Sequence, residues 1–353
     1  MNDAIETTDD LTPTRKPAPS RARAPLLVAI DDGLAQTKLI GDGPDGQPRT
    51  LKIPTSIRAA SAGAMVDLSG DLVGMYRTAE GEEYVCSAGI PSEETRHPDF
   101  HVSQIDRVLV NHALIEAGYG GHEVVVLTAL PVDEYFTAGQ VNRARIDRKI
   151  ANLKAGIAMM GSQNPMPRIV DVKVGCQGLA ALFDYTLDDK GKPRGEAHES
   201  VVVVDIGGST TDIVSIVRGG QTIDQSSSGA ARLGVLDVHS QFTERLTAEM
   251  GFPVRLTPAA IDRACRTGSI KLNRQDRDVS NIVRDAVADV GGRIVREVER
   301  RIGKAATVDA VLFVGGGAGL FKDVVQHWSG IEVIADGEMA NARGLMKYAR
   351  SRG

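Results

Sequence analysis

Two short stretches of this chain place an aspartate, a glycine turn and a second run of strand-forming residues in the same order. The first is Ala29-Ile30-Asp31-Asp32-Gly33, followed by Thr37-Lys38-Leu39; the second is Val204-Asp205-Ile206-Gly207-Gly208, followed by Thr210-Thr211-Asp212-Ile213. A Walker or dinucleotide loop passes from strand into helix, whereas strand residues resume after these turns, so each stretch predicts a hairpin. Two such hairpins facing each other suit a polyphosphate held from both sides. The glycines let backbone N–H groups approach phosphate oxygens, and Asp31 and Asp205 orient the waters of a magnesium ion. The chemistry predicted is ATP hydrolysis by a protein built from two halves.

A third glycine cluster, Val314-Gly315-Gly316-Gly317-Ala318-Gly319-Leu320, lies near the C-terminus. A dinucleotide fingerprint belongs in the first βαβ unit with a ribose-binding acid about twenty positions later, whereas this cluster sits near the C-terminus with no clear ribose-binding acid. Bare glycines against which a flat base or sugar lies explain the cluster better. Other reactive side chains lack such order. Cys86, Cys176 and Cys265 are far apart and read as buried thiols in a reducing compartment. His97 and His101 are four apart with no further ligand, and His112 falls on an apolar helix face as a packing residue. No serine sits in a Gly-x-Ser-x-Gly elbow, which leaves acyl transfer without support.

The elements that must carry these loops follow from periodicity. Residues 1–25 are rich in proline, arginine, serine and acids and predict a flexible tail, too polar for a membrane anchor. Strands at 26–30, 37–40 and 50–53 open a mixed sheet, and 54–104 reads as a small irregular insertion. A helix at 105–116 shows Val108, Leu109, His112 and Ile115 on one face; a strand at 124–127, a charged helix from 143 to about 159 and a strand at 169–174 follow. A helix then starts near Gln177. After a polar crossover at 188–199 the plan repeats, with strands at 201–205, 211–217 and 221–226 and helices at 234–250, 258–267 and 279–302. A strand at 310–314, a helix through 325, a strand at 331–334 and a helix at 339–350 complete an α/β chain.

At 353 residues the chain is long enough for two cores. Its net charge of -5 argues against a nucleic-acid-coating protein and makes any DNA contact indirect. No stretch approaches the ~20 apolar residues of a membrane span, and the N-terminus lacks a signal peptide, so a cytoplasmic location is expected.

Together the three segments resemble the actin-like ATPase superfamily, which carries two phosphate loops and a late adenosine loop in this order. Within it the chain resembles the ParM/StbA group of plasmid-segregation actins. The narrower likeness rests on Ile30-Asp31-Asp32-Gly33, Val110-Asn111-His112-Ala113-Leu114, Leu130-Pro131-Val132-Asp133-Glu134-Tyr135, Asp171-Val172-Lys173-Val174, Leu233-Gly234-Val235 and Val314 to Ala318. It spans the chain from about Leu26 onward.

The resemblance implies an actin-like fold (actin/Hsp70/sugar kinase) of two related domains flanking a nucleotide cleft. Domain I would cover 26–186, with its insertion at about 54–104; domain II would cover 187–332, and 333–353 would return to domain I. Asp31 matches the aspartate near magnesium, with Asp32 and Gly33 in the same loop, and Lys38 matches the lysine that reaches the β and γ phosphates. Leu34 stands where actin has a serine, so backbone N–H groups must compensate. Asp205, Gly207, Gly208, Ser209 and Thr210 match the second loop, its turn supported by Thr210, Thr211 or Asp212. Gly315, Gly316, Gly317 and Ala318 match the adenosine loop. Gln177 matches a water-positioning glutamine; since an amide takes no proton at neutral pH, it would orient a water that Asp205 polarises, and turnover would be slow. Arg263 and Lys271 lie where relatives contact ribose and adenine, though either one alone reads better as a solvated helix charge. Asp237 either faces the cleft or favours a helix N-terminus.

The function so implied is a filament-forming ATPase using ATP/ADP, with GTP as an alternative, and Mg2+. Closure around the γ phosphate would favour subunit addition and hydrolysis would weaken the polymer. Its partners would be copies of itself and a ParR-like adaptor bound to a centromere-like DNA site, with no direct sequence-specific DNA binding and no membrane. The rivals are a small-molecule kinase of the same fold and a non-polymerising nucleotide-binding scaffold.

Overall fold

The apolar run Leu26–Asp32 forms β1, buried on both faces except at its first two residues, as befits a central strand flanked on each side by others. In this computed structural model the described residues are 24–352, apart from 71, 88–89, 91, 93–94, 162–163, 196–197, 221, 304–307 and 326–329. The expected tail at 1–25 therefore lies outside them but for its last two positions.

Strands β1, β2 (Gln36–Asp42) and β3 (Pro48–Pro54) make an antiparallel meander. Then come β4 (Ile57–Ala59), β5 (Met75–Thr78), β6 (Glu83–Cys86), helix α1 (Gln104–Glu116) and β7 (Glu123–Leu130). A helical turn, α2 (Val132–Tyr135), and a tiny hairpin, β8 (Phe136–Thr137) with β9 (Gln140–Val141), lead to α3 (Arg143–Lys154), β10 (Ile157–Met159), β11 (Arg168–Cys176) and α4 (Leu179–Thr186). The second half holds β12 (Ser200–Ile206), β13 (Thr211–Val217), β14 (Thr222–Ala231), α5 (Val235–Met250), α6 (Pro258–Thr267), β15 (Ser269–Leu272), β16 (Gln275–Asp278), α7 (Ser280–Ile302), β17 (Ala310–Val314), α8 (Lys322–Val325), β18 (Ile331–Val333) and α9 (Ala340–Arg352).

The two large sheets share one plan. In the order β11-β7-β1-β2-β3, parallel strands β7 and β11 extend the meander beyond β1; in the order β14-β13-β12-β17-β18, parallel β17 and β18 extend the second meander beyond β12. The repeat read from two hairpins thus extends to whole sheets.

Several elements differ from their sequence signals; β14, for one, runs on to Ala231. The charged helix ends at Lys154, not near Met159, because Gly156 takes a left-handed φ of 73° and 157–159 extends as β10 beside β5. A helical pattern cannot reveal a strand whose partner lies some eighty residues away. The insertion is accordingly a four-stranded sheet, β10-β5-β6-β4, completed by a strand from outside 54–104. Helix α1 is buried on more than its apolar stripe. Val110, Ala113 and Leu114 pack with Val28 and Ile30 of the large sheet, while Val108 and Leu109 pack with Ile57 and Tyr76 of the small one. His112, as expected, serves packing, hydrogen-bonded to the Tyr76 hydroxyl at 2.8 Å. The hairpin β15–β16 was not expected; Asn273 and Arg274 both take positive φ at its turn, the conformation of a two-residue hairpin loop.

The final helix lies against α4, β1 and β7. Leu345 and Met346 join Ala29, Leu127 and Ala180 in a shared core. At Gly344 a Cβ would stand 1.7 Å from the Ala180 carbonyl oxygen, so only glycine permits the crossing. Buried Asp184 on α4 receives Arg343 and Lys347 of α9, each at 2.7 Å.

Candidate functional site

The β1–β2 and β12–β13 turns are built alike. Gly33 N–H donates to the Gln36 carbonyl at 3.0 Å and Gly207 N–H to the Thr210 carbonyl at 2.8 Å, each two residues after its aspartate. A Cβ on Gly33 would press on the Gln36 oxygen at 2.8 Å. The turns meet tip to tip: a Cβ on Gly208 would lie 2.3 Å from that of Ala35. Helix α5 docks beneath the second turn through Val235 N–H and Leu236 N–H, which donate to the Gly207 and Gly208 carbonyls.

The ladders place Asp31 opposite Lys38 and Asp205 opposite Asp212. The equivalent position therefore carries an ion pair in one hairpin, with Lys38 Nζ 3.0 Å from Asp31, and two facing carboxyls in the other. Burial works against the charge on Lys38, but Asp31 and Asp205 outweigh it and raise its pKa. Burial and then the Asp31 charge push Asp205 up to about 6, Lys38 and the Asn341 amide opposing. Burial and Asp205 push Asp212 up to about 8 although Val132 N–H donates to it.

A group whose folded pKa is raised holds a proton that the unfolded chain releases, so its contribution to stability is complete below 3.8 and declines as pH climbs toward 8. Asp212→Asn, which keeps the shape without the titration, is therefore expected to gain on the wild type by on the order of 2 kcal/mol between pH 5.5 and pH 8. Urea unfolding of the nucleotide-free proteins reads this; parallel stability curves would count against it.

Between the hairpins opens a cavity of ≈ 550 Å3. Of the expected site residues, Asp31, Gly33, Lys38, Gln177, Asp205, Gly207, Gly208, Ser209, Thr210 and Gly316 line it. Five or more carboxyl, hydroxyl and amide groups thus converge from opposite halves of the chain. The Ser209 hydroxyl is buried without a hydrogen-bond partner, a state that a ligand acceptor would relieve.

Asp32 is a correction. Adjacent strand residues point to opposite faces, so while Asp31 faces the cavity, Asp32 turns into the protein at 1% exposure. There it pairs with Lys149 of α3 and accepts from Thr128 Oγ1 at 2.6 Å. Burial disfavours its charge, yet Lys149 and the His101 contact hold its pKa well below 3.8. Asp106 of α1 completes the cluster; burial and the neighbouring Asp32 charge raise its pKa well above that value. Asp32, His101 and Asp106 come close enough together to ligate a metal, but the Lys149 ammonium already bonds to this group.

The glycine cluster is a second correction. Gly315 has φ 86°, and a Cβ there would strike Asp205 Oδ1 at 2.3 Å; at Gly317 it would strike Ile206 Cγ2 at 2.5 Å. These two glycines pack against the end of β12, and Ala318 belongs to the second-half core. Of the four, Gly316 lines the cavity.

The outer wall comes from α5 and α6: Leu236, His239, Pro258, Asp262, Arg263 and Arg266. Arg263 lines this wall, whereas Lys271, on β15, is not among the lining residues. Asp262 pairs with Arg266 at 2.9 Å and with His239 at 3.5 Å. Asp237 accepts from Gly234 N–H at 2.8 Å, capping α5, and also approaches Arg96 at 3.8 Å, so of its two readings the helix cap is realised. Asn341 lines the cavity without having been singled out; no local motif surrounds it. Among the described residues no helix is long and apolar enough to cross a membrane.

Paired sheets of repeated topology around a cleft between two aspartate–glycine hairpins define an actin-like fold, and comparison with known proteins agrees. Residues 26–187 match the family model of the plasmid segregation protein ParM, N-terminal, and residues 203–327 match that of the archaeal actin homologue MreB-like, C-terminal. The chain thus has an actin-like fold, its first half similar to the N-terminal part of ParM and its second to the C-terminal part of an archaeal MreB-like actin homologue. Among solved structures, the archaeal actin homologue Ta0583 in complex with ADP is similar at a TM-score of 0.71 and 19% identity, over 92% of this chain and 99% of that one. A 15-stranded ParM filament from Clostridium botulinum is similar at 0.67 and 17%, over 92% and 98%. The actin-like protein Alp7A is similar at 0.71 and 13%, over 92% and 96%. No curated protein sequence matches the chain.

Proposed function

We propose that this chain is a filament-forming ATPase that separates copies of a plasmid, its polymerisation governed by the nucleotide and coupled to DNA through a ParR-like adaptor bound at a centromere-like site. The observation that carries the enzymatic part is the convergence of Asp31, Asp205 and Lys38 with two glycine turns on one cavity. Domain I, on this reading, comprises 26–186, domain II 187–332, and 333–353 returns to domain I; the location is cytoplasmic.

ATP, or GTP, lies between the hairpins. Turn N–H groups and Ser209 bind phosphate oxygens, Lys38 stands as a point charge beside them, and Gly316 lies under the sugar or base. Asp31 and Asp205 fit a magnesium ion held mainly through its waters, since buried carboxyls that repel one another gain from a cation. When bound, the ion neutralises phosphate charge. Gln177 orients the attacking water and Asp205 polarises it. The closed arrangement held by the γ phosphate loses that contact on hydrolysis, which weakens the polymer. The filament and ADP in the similar structures belong to those proteins; likeness in fold and the ParM-type half support extending both here.

The test is right-angle light scattering on adding ATP and magnesium, with phosphate release followed in the same sample. A rise above a critical concentration that decays as phosphate appears is the expected result. Phosphate release with flat scattering at high protein concentration would overturn the filament reading. In the same assay, Gln177→Ala is expected to bind ATP while releasing phosphate at least about tenfold more slowly. Unchanged release would remove Gln177 from the mechanism.

A further inference from the structure

We infer that Asn341 is a positioning residue that locks Asp205 and the Gln177 turn into one frame. This rests on the ATPase reading above and adds to it a residue from a third part of the chain.

Asn341 occupies the first turn of α9, is 5% exposed and lines the cavity. Its Nδ2 donates to Asp205 Oδ2 at 2.6 Å, and its Oδ1 accepts from Gly178 N–H at 3.2 Å. The two partners fix which way the amide faces, since a carboxylate only accepts and a peptide N–H only donates. Gly178 directly follows Gln177 and caps α4 with φ 73°. A Cβ there would meet Val214 Cγ2 at 2.5 Å, so this backbone cannot shift toward β13. Gln177 N–H is held from the other side by the Leu130 carbonyl at 2.9 Å. The turn carrying Gln177 is thus tied at two peptide groups, once to β7 and once, through Asn341, to the aspartate at the end of β12.

Asparagine alone among side chains of this length offers one donor and one acceptor at opposite ends of a rigid plane. Leucine at 341 keeps the volume and loses both contacts; aspartate keeps the outline but turns a donor toward Asp205 into a repelling carboxylate. Helix α9 is anchored to α4 at Gly344 and Asp184, so the first turn offers the amide from a rigid support. A group held this way acts on the geometry of attack more than on ligand affinity.

Single-turnover hydrolysis in saturating magnesium, nucleotide affinity by a fluorescent ATP analogue and thermal melting test this on the full chain. Asn341→Leu is expected to hydrolyse roughly 10- to 100-fold more slowly while affinity changes by less than about threefold. Placed on Gln177→Ala, the same substitution should slow hydrolysis by less than about twofold more, because both losses act through one water. A purely structural role would instead lower melting temperature and affinity together and add its full effect in the double variant. Should Asn341→Leu not fold, the isosteric Asn341→Asp takes its place, with the same split expected and a shifted half-saturating magnesium concentration. Either folded variant hydrolysing at the wild-type rate overturns the inference alone. A wild type that binds nucleotide without turnover overturns the ATPase reading and this role with it.

Discussion

Asparagine at position 205 is expected to slow ATP hydrolysis roughly 10²- to 10³-fold, the loss seen when one preorganised electrostatic group is removed from a reacting centre. The Asp205 carboxylate is held at the cavity edge by the Asn341 amide, and it stands between the Asp31 charge on one hairpin and Asp212 on its own. Burial, and then the Asp31 charge, disfavour the ionised carboxyl in the empty protein, which is why its pKa climbs to about 6. A bound cation reverses the balance, so the strain is useful only with ligand present. Asp205→Asn should therefore act in opposite directions on two readouts. The nucleotide-free protein should melt no lower than the wild type and gain stability above pH 6, because a buried charge that also repels Asp31 has gone. Stabilisation by added ADP and magnesium should shrink. Phosphate release at saturating ATP and magnesium measures the first effect and thermal melts the second. Release within threefold of wild type, on the scale of a tenfold change per 1.4 kcal/mol, would remove Asp205 from the reaction.

Lys149→Met is expected to destabilise the fold by about 3–5 kcal/mol, the usual consequence of leaving one member of a buried ion pair without its partner. Lys149 is fully buried, bonds to Asp32 and lies 3.5 Å from Asp106. Burial and the Asp32 charge push the Asp106 carboxyl toward its neutral form, which leaves Lys149 and Asp32 as the ion pair of the cluster. Methionine matches the lysine stem, so packing is largely kept and the loss reports the charge. Asp32→Asn added to Lys149→Met should recover much of the stability, since removing both charges of a buried pair is often close to neutral. Because the Asp32 pKa is depressed, the wild-type contribution is present above 3.8 and lost as pH falls through the lower folded value. Urea unfolding at pH 7 gives the comparison. A loss below about 1 kcal/mol, the scale of an exposed pair, would mean that water reaches the cluster. Asp32 neighbours Asp31 in β1, so the single variant should also loosen the first hairpin and weaken nucleotide binding.

The two hairpins were legible in the sequence because their determinants are local. An aspartate closing an apolar strand, a glycine two residues on and a resumed strand specify the turn through contacts within six residues, as the Gly33 to Gln36 and Gly207 to Thr210 bonds show. Helix α6 and strand β17 likewise begin and end where proline, glycine and apolar runs indicate. Gln177, Lys38 and Asp205 were reachable by resemblance and do meet at one cavity. The inward turn of Asp32 was implicit in strand alternation, yet its reason for existing, Lys149, lies 117 residues away.

What lay beyond the sequence shares one cause: partners brought together by the sheets from distant parts of the chain. Strand β10 exists because β5 offers it an edge, so the helical pattern before it ran on too far. The glycine cluster was recognisable, but which glycine faces outward depends on how closely the turn packs against Ile206 and Asp205. Asp212 is pushed up to about 8 by burial and by Asp205, which the hairpin sets opposite it. Asn341 sits in an unremarkable stretch and gains its place from contacts spanning 136 and 163 positions. The sequence by itself determined which turns form, which strands are central and which side chains carry charge, since backbone preference and hydrophobic period act over a few residues. Tertiary structure alone decided which charges face one another and which face the cavity, because burial and Coulomb interaction depend on distance in space and not along the chain.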